Sequence, residues 1–115
     1  MTNFPRIAAV DFDGTLCVQE WPNIGAPKLK VINYIKYLQA HGTKLILWTN
    51  RSGGKLQEAI DWCAKNHDLH FDAVNENLMS SVEFLGGEDP RKILADVFID
   101  DRAVTPEYIE SLERY

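Results

Sequence analysis

Short apolar runs alternate with amphipathic stretches along this chain, and this alternation is the feature that most limits its possible folds. The apolar runs cover residues 6–12, 43–50, 70–74 and 95–101. Apolar residues at helical spacing lie between them, as in the stretch from Gly54 to Asn66. Strands and helices in this order predict a parallel sheet with helices on its faces. The expected fold class is α/β, a Rossmann-like three-layer sandwich with a short, mostly parallel sheet.

The segments between the predicted strands carry signals of their own. A first helix is expected to include Pro27 in its first turn and to end before Gly42. Thr105 is expected to cap a final helix within residues 105–115, with Pro106 at its first position. Residues 14–26 and 76–91 contain glycine and proline and predict mostly irregular loops.

Composition favours a single globular domain over residues 1–115. Hydrophobic residues make up 45% of the chain and charged residues 25%, which is ordinary for such a domain. The formal net charge of −5 argues against long nucleic acid as a partner, because binding it needs a basic face. The two cysteines follow no disulfide or metal-ligand spacing, so we expect a cytoplasmic location. Neither a signal peptide nor a membrane-spanning run is expected, so no membrane partner is predicted.

Polar residues of one chemical kind follow three of the four predicted strands. They are Asp11 and Asp13 after the first strand, Thr49 and Asn50 after the second, and Asp100 and Asp101 after the fourth. Ligands of open α/β sheets bind beyond the carboxyl ends of the strands, where these side chains should meet. Several carboxylates in one crevice repel each other unless some are protonated or a cation lies between them. A hard divalent ion such as Mg²⁺, met by a substrate phosphate, is the simplest arrangement.

A single aspartate after a strand usually forms a turn or caps a helix. Here paired carboxylates follow two separate strands, and a Thr-Asn pair follows a third. The repetition favours a functional site over three unrelated turns.

The ordered motifs resemble those of the haloacid dehalogenase (HAD) superfamily. The matching stretches are DFDGT at 11–15, LILWTN at 45–50, a lysine at 92 and VFIDD at 97–101. FDAVNENL and KILADVFIDDRA look like a subgroup of small HAD proteins that lack a cap domain. The resemblance implies a HAD-like fold without a cap, and Mg²⁺-dependent hydrolysis of a phosphomonoester. The substrate would be a phosphorylated small molecule or macromolecule, and homo-oligomer formation is left open.

The resemblance also implies a role for each matching catalytic residue. Asp11 would be the nucleophile that forms an aspartyl-phosphate. Asp13 would protonate the leaving oxygen and then deprotonate the attacking water. Thr49 would hydrogen-bond a phosphoryl oxygen, and Lys92 would place a positive charge beside it. Lys92 lies only eight residues before Asp100, whereas many relatives place this lysine farther upstream, so Arg51, Lys55 and Arg91 are alternatives.

The same resemblance assigns metal ligands and substrate contacts. Mg²⁺ would bind the carboxylates of Asp11 and Asp100 and the backbone carbonyl of Asp13, with Asp101 supporting it directly or through water. The residues implied at the phosphate are Gly14, which would allow a sharp turn, Thr15, which would brace the loop, and Asn50. Arg51 is a further candidate for the phosphate. Trp21 is the main apolar side chain of the predicted loop over residues 14–26, so we expect it to cover the leaving group.

Two alternatives come from other functional classes. A response-regulator receiver domain also gathers aspartates, a threonine and a lysine around Mg²⁺, but it has no second aspartate two residues after the acceptor. A catalytically weak or inactive module that binds Mg²⁺ and phosphate would keep the pocket without turnover. The presence of Asp11, Asp13, Thr49 and Asp100 together favours the enzyme.

Overall fold

Strands and helices alternate through residues 3–114, the part of the chain that the computed structural model describes. In chain order the elements are β1 (Ile7–Val10), β2 (Cys17–Glu20), β3 (Asn23–Pro27), α1 (Leu29–Ala40), β4 (Lys44–Leu47), α2 (Gly53–His67), β5 (Ala73–Val74), α3 (Met79–Phe84), β6 (Val97–Ile99) and α4 (Pro106–Glu110). Four strands form a parallel sheet in the order β5-β4-β1-β6, and β2 pairs with β3 in a separate antiparallel hairpin. This is an α/β fold compatible with a Rossmann-like sandwich.

The register of the sheet brings three strand ends to one edge. Val10 of β1 aligns with Leu47 of β4 on one side and with Ile99 of β6 on the other. The chain leaves β1 toward β4 and later returns to β1 on its opposite side, so the strand order reverses at β1. Ligands of open α/β sheets bind at such a point. The residues that follow these three positions therefore emerge at the binding edge.

Alternation of side chains along the strands divides the core into two clusters. Ala8, Val10, Leu45 and Leu47 belong to the larger cluster. Helix α1 adds Ile32 and Ile35 to it, and α2 adds Ala59 and Cys63. The intervening residues Ala9 and Ile46 belong to a smaller cluster with Ile93, and Leu78 and Ala95 pack against it. Both faces of the central strands are thus buried, as the continuous apolar runs predicted.

All three predicted helices are found, and the last of them is shorter than predicted. Helix α2 extends one residue beyond its predicted bounds at each end. Thr105 caps α4, since its Oγ1 accepts the Tyr108 N–H at 3.1 Å, and Pro106 takes the first position. The helix nevertheless ends at Glu110, because its apolar side chains are exposed and gain no packing that would extend it. Tyr115, the last residue of the predicted helix, lies outside the described residues, as do Met1 and Thr2.

The prediction of a loop over residues 14–26 was wrong. The hairpin of β2 and β3 occupies most of that segment, and Pro27 ends β3 instead of starting α1. Gly25 had been interpreted as a loop residue, but a Cβ there would overlap the Val18 carbonyl across the hairpin. Glycine permits this close approach of two strands. The segment 76–91 is also less irregular than predicted, since it contains α3.

Within the described residues, no helix combines the length and the apolar character that a membrane span requires.

Candidate functional site

A cleft of about 290 Å³ lies at the carboxyl edge of the sheet. The predicted site residues that line it are Asp11, Asp13, Trp21, Thr49, Asn50, Arg51, Asp100 and Asp101. Gln19 of the hairpin and Arg102 after β6 also line the cleft, and neither was predicted. The three polar strand ends therefore meet at one place, as expected from the topology.

One side of the cleft holds an aspartate cluster made of Asp11, Asp100 and Asp101. One carboxylate oxygen from each lies within 4.8 Å of those of the other two. Among residues 3–114, no cationic side chain forms an ion pair with any of the three. Burial, and next the charge of Asp100, raises the pKa of Asp11 from 3.8 to about 6. Three uncompensated carboxylates at this spacing are able to hold a cation between them.

The loop after β1 keeps this cluster compact. Gly14 has a φ of +86°, and a Cβ at this position would overlap the carboxylate of Asp101. Glycine is therefore required both for the backbone conformation and for the approach of Asp101. Thr15 is buried, and its Oγ1 donates a hydrogen bond of 3.1 Å to Oδ2 of Asp11. This is the geometry that the predicted turn and brace need.

The other side of the cleft is formed by the pair of Asp13 and Arg51. Arg51 Nε and Nη2 donate to the two carboxylate oxygens of Asp13, each at 2.8 Å. The Arg51 side chain is only 1% exposed, and its guanidinium lies between the rings of Phe12 and Trp21, at 5.1 and 4.9 Å from their centroids. The hydrogen bond to Asp13 raises the pKa of Arg51. The charge of this aspartate is thus matched inside the protein.

The loop after β4 is held by a residue that the sequence did not point to. Asn75 directly follows β5, and its Oδ1 accepts the Thr49 N–H at 2.8 Å. Thr49 Oγ1 in turn accepts the Arg51 N–H at 3.1 Å, which leaves its hydroxyl hydrogen available to a ligand. The available signal was an asparagine immediately after a predicted strand, a position like that of the site residues. That strand, HFDAV at 70–74, has only a weak apolar pattern, so its end carries a weaker signal than those of the other three strands.

Lys92 does not line the cleft. Its segment is instead anchored by buried Asn77, whose Nδ2 lies 3.3 Å from the Lys92 carbonyl and whose Oδ1 accepts the Leu94 N–H at 2.7 Å. The arginines that do line the cleft are Arg51 and Arg102. The phosphate-binding role of Lys92 stays a prediction, and Arg102 is better placed for it in this structure.

A solved structure of a conserved protein from Bacteroides thetaiotaomicron is similar to this one. The two sequences are 41% identical, and the match covers 89% of this chain and 79% of that chain with a TM-score of 0.75. This chain belongs to the same family as that conserved protein. No protein-family model and no curated protein matches the chain. The extent of the structural match shows that the two proteins share this fold.

Proposed function

We propose that the protein is a Mg²⁺-dependent phosphohydrolase of the HAD type, without a cap domain, that acts on a phosphomonoester. One observation carries the proposal: a single cleft holds Asp11 beside Asp100 and Asp101, and Asp13 and Thr49 line the same cleft. This is the set of groups that an aspartyl-phosphate mechanism uses.

The donor set of the aspartate cluster suits a hard divalent ion. All three side chains offer carboxylate oxygens, which Mg²⁺ prefers over nitrogen or sulfur ligands. The raised pKa of Asp11 supports this fit, since its largest cause after burial is the negative charge of Asp100 beside it. Asp11, Asp100 and the Asp13 carbonyl would hold the ion, with Asp101 beside them. The bound ion would neutralise negative charge and orient the phosphate.

The side chains divide the proposed reaction between them. An oxygen of Asp11 attacks phosphorus, and the bond from phosphorus to the leaving oxygen breaks. Asp13 enters the reaction protonated, on a carboxylate lone pair that its bonds to Arg51 leave free, and gives that proton to the leaving oxygen. As a carboxylate it then takes a proton from the water that hydrolyses the aspartyl-phosphate. The Thr49 hydroxyl donates to a phosphoryl oxygen, and Arg102 supplies a positive charge at the opening of the cleft.

The hairpin of β2 and β3 supplies the wall of the cleft through Gln19 and Trp21. A small lid of this kind would leave room for a phosphorylated macromolecule as well as a small phosphoester. Cys17 and Cys63 are both free and buried, which suits the reducing cytoplasm that we propose as the location. Burial raises the pKa of both thiols, that of Cys63 to about 12, so neither is a reactive nucleophile.

The direct test is release of phosphate from an aryl phosphate, with Mg²⁺ and with a chelator. Asp11→Asn should lower turnover at least ~10³-fold, because it removes the nucleophile and loss of such groups costs up to ~10⁶-fold elsewhere. The control is Asp61→Asn on α2, which removes a carboxylate that lies outside the cleft. Substantial turnover by Asp11→Asn would contradict the mechanism. Phosphate trapped on Asp11 of the parent without turnover would instead support a phosphoacceptor regulatory module.

A further inference from the structure

Arg51 makes contacts that binding of a phosphate does not explain. Each of its guanidinium nitrogens donates to an oxygen of the protein itself. Besides the two bonds to Asp13, Nη2 donates to the Asn23 carbonyl at 3.1 Å and Nη1 to the Lys55 carbonyl at 3.3 Å. A cation that served mainly to bind substrate would keep its donors free toward the cleft.

The oxygens that Arg51 bonds come from three separate parts of the chain. Asp13 lies in the loop after β1, Asn23 begins β3 of the hairpin, and Lys55 lies in the first turn of α2. The indole of Trp21, at the turn of the hairpin, covers one side of the guanidinium. Arg51 is thus the point at which the hairpin, the loop after β1 and the start of α2 are joined.

We propose that Arg51 is a positioning residue that fixes the Asp13 carboxylate and the hairpin as one unit. A guanidinium offers several donors in a planar fork, so it can bond both oxygens of one carboxylate and a carbonyl at the same time. Lysine has the same charge but no such fork. The orientation of Asp13 therefore depends on the shape of the Arg51 side chain and not only on its charge. The inference rests on the proposed function for the role of Asp13 as acid and base.

The positioning role predicts a particular split in the kinetics. Arg51→Lys should lower kcat for an aryl phosphate on the order of 10²-fold, the size of effect that misplacement of a reacting group produces. KM should change much less, because the aspartate cluster and Thr49 are untouched. A residue that bound the phosphate directly would show the opposite pattern, with KM raised most. Parental kcat in Arg51→Lys, or a loss confined to KM, would overturn the proposal.

Rescue by small cations distinguishes the effect of the planar guanidinium shape from the effect of the positive charge alone. Arg51→Ala leaves a space that ethylguanidinium matches in length, whereas ethylammonium supplies only a positive charge. We expect ethylguanidinium to restore kcat and ethylammonium to leave it low, and equal rescue by the two would overturn the proposal. If Arg51→Ala does not fold, the kcat and KM of Arg51→Lys test the proposal instead. The control is Lys36→Met, since Lys36 also donates to a carbonyl of another element, that of His67 at 2.8 Å, but lies outside the cleft.

Amide hydrogen exchange tests whether Arg51 holds the hairpin in place, and it requires no enzymatic activity. In Arg51→Lys the amides of residues 17–27 should exchange at least several-fold faster than in the parent, and in Lys36→Met they should not. Unchanged exchange in Arg51→Lys would overturn the fixing of the hairpin. A parent that hydrolyses no phosphoester would contradict the proposed function alone, because this measurement would still decide whether Arg51 holds the hairpin.

Discussion

The two sides of the cleft differ in whether their carboxylates are paired with a cationic side chain. On one side, both oxygens of Asp13 meet the buried guanidinium of Arg51 at 2.8 Å. On the other, the oxygens of Asp11, Asp100 and Asp101 lie within 4.8 Å of one another, and no ion pair reaches them in residues 3–114. The charge on the paired side is matched within the chain, whereas the charges of the cluster have no cationic partner among residues 3–114.

This difference fits the different tasks that we propose for aspartates that are close in sequence. A paired and bonded carboxylate has a defined orientation before any ligand binds, which suits the role of acid and base proposed for Asp13. A set of unpaired carboxylates has affinity for cations, since like-charge repulsion falls when an ion binds. Replacing an aspartate by asparagine should therefore have opposite effects on stability at the two sides.

The largest expected effect on stability is on the paired side. Asp13→Asn should lower the free energy of unfolding by about 2–3 kcal/mol, somewhat less than the ~3–5 kcal/mol for breaking a buried pair, because asparagine keeps one acceptor oxygen. It should also slow both the formation and the hydrolysis of the aspartyl-phosphate. Denaturant unfolding and single-turnover kinetics measure the two effects. A rise in melting temperature with Mg²⁺ should survive, since the carbonyl of Asp13 is unchanged.

Asp61→Asn is the matched control for this change. Asp61 lies on α2, where its Oδ1 accepts a hydrogen bond from Gln57, and it has no cationic partner in the part of the chain that the structure describes. We expect its unfolding free energy to remain within about 0.5 kcal/mol of the parent, as for most surface changes. If Asp13→Asn proved equally neutral, the two sides of the cleft would not differ as described.

A smaller effect of opposite sign is expected in the cluster. Asp100→Asn should raise the melting temperature in chelator by a few degrees, or roughly 1 kcal/mol or less, because Asp100 is exposed and its repulsion is partly screened. Asparagine keeps the Oδ1 acceptor that the Arg102 N–H uses at 2.9 Å. The same change should reduce the further rise that Mg²⁺ produces in the parent. Thermal melts with chelator and with Mg²⁺ give both quantities.

The rise in melting temperature that we expect for Asp100→Asn should depend on pH, because the pKa of Asp11 is raised. The folded protein holds the Asp11 proton up to about pH 6, whereas the unfolded chain loses it near 3.8. Asp11 therefore opposes folding above pH 6, and this cost disappears as the pH falls through that interval. The advantage of Asp100→Asn over the parent should be larger at pH 8 than at pH 5. If Asp100→Asn melted at a lower temperature than the parent at pH 8, these carboxylates would not repel each other. If its response to Mg²⁺ were the same as that of the parent, Asp100 would not bind the ion.

The cluster side of the cleft could largely be predicted from the sequence. Asp11, Thr49 and Asp100 each follow an apolar run directly, and the topology of a parallel sheet brings such positions together. The apolar pattern of each strand and the position of ligand sites at strand ends are enough to predict that these residues lie in the cleft.

The paired side could not be predicted in this way. The burial of Arg51 depends on the rings of Phe12 and Trp21 that its guanidinium contacts, and Trp21 belongs to a hairpin that the sequence predicts as a loop. Glycine and proline in residues 14–26 indicate turns, but they do not reveal that two strands pair around them. An arginine two residues after Thr49 is therefore expected to face phosphate, whereas its hydrogen-bond acceptors in the structure are all protein oxygens.

The smallest expected effect concerns Trp21, which belongs to the paired side but also faces the cleft. One face of its indole covers Arg51, while the residue as a whole remains 56% exposed. Trp21→Ala should therefore alter the relative rates with flat and with compact leaving groups by roughly 2- to 10-fold, the range that ~0.5–1.5 kcal/mol of aromatic contact gives. Trp21→Phe should keep most of the parental preference because it keeps a flat ring. The measurement is kcat/KM across aryl and alkyl phosphates. Both variants should still hydrolyse these substrates, because Asp11 is unchanged. If all substrates slow by the same factor in Trp21→Ala, the indole only holds the hairpin, and recognition of the leaving group lies with Gln19 or Arg102 instead.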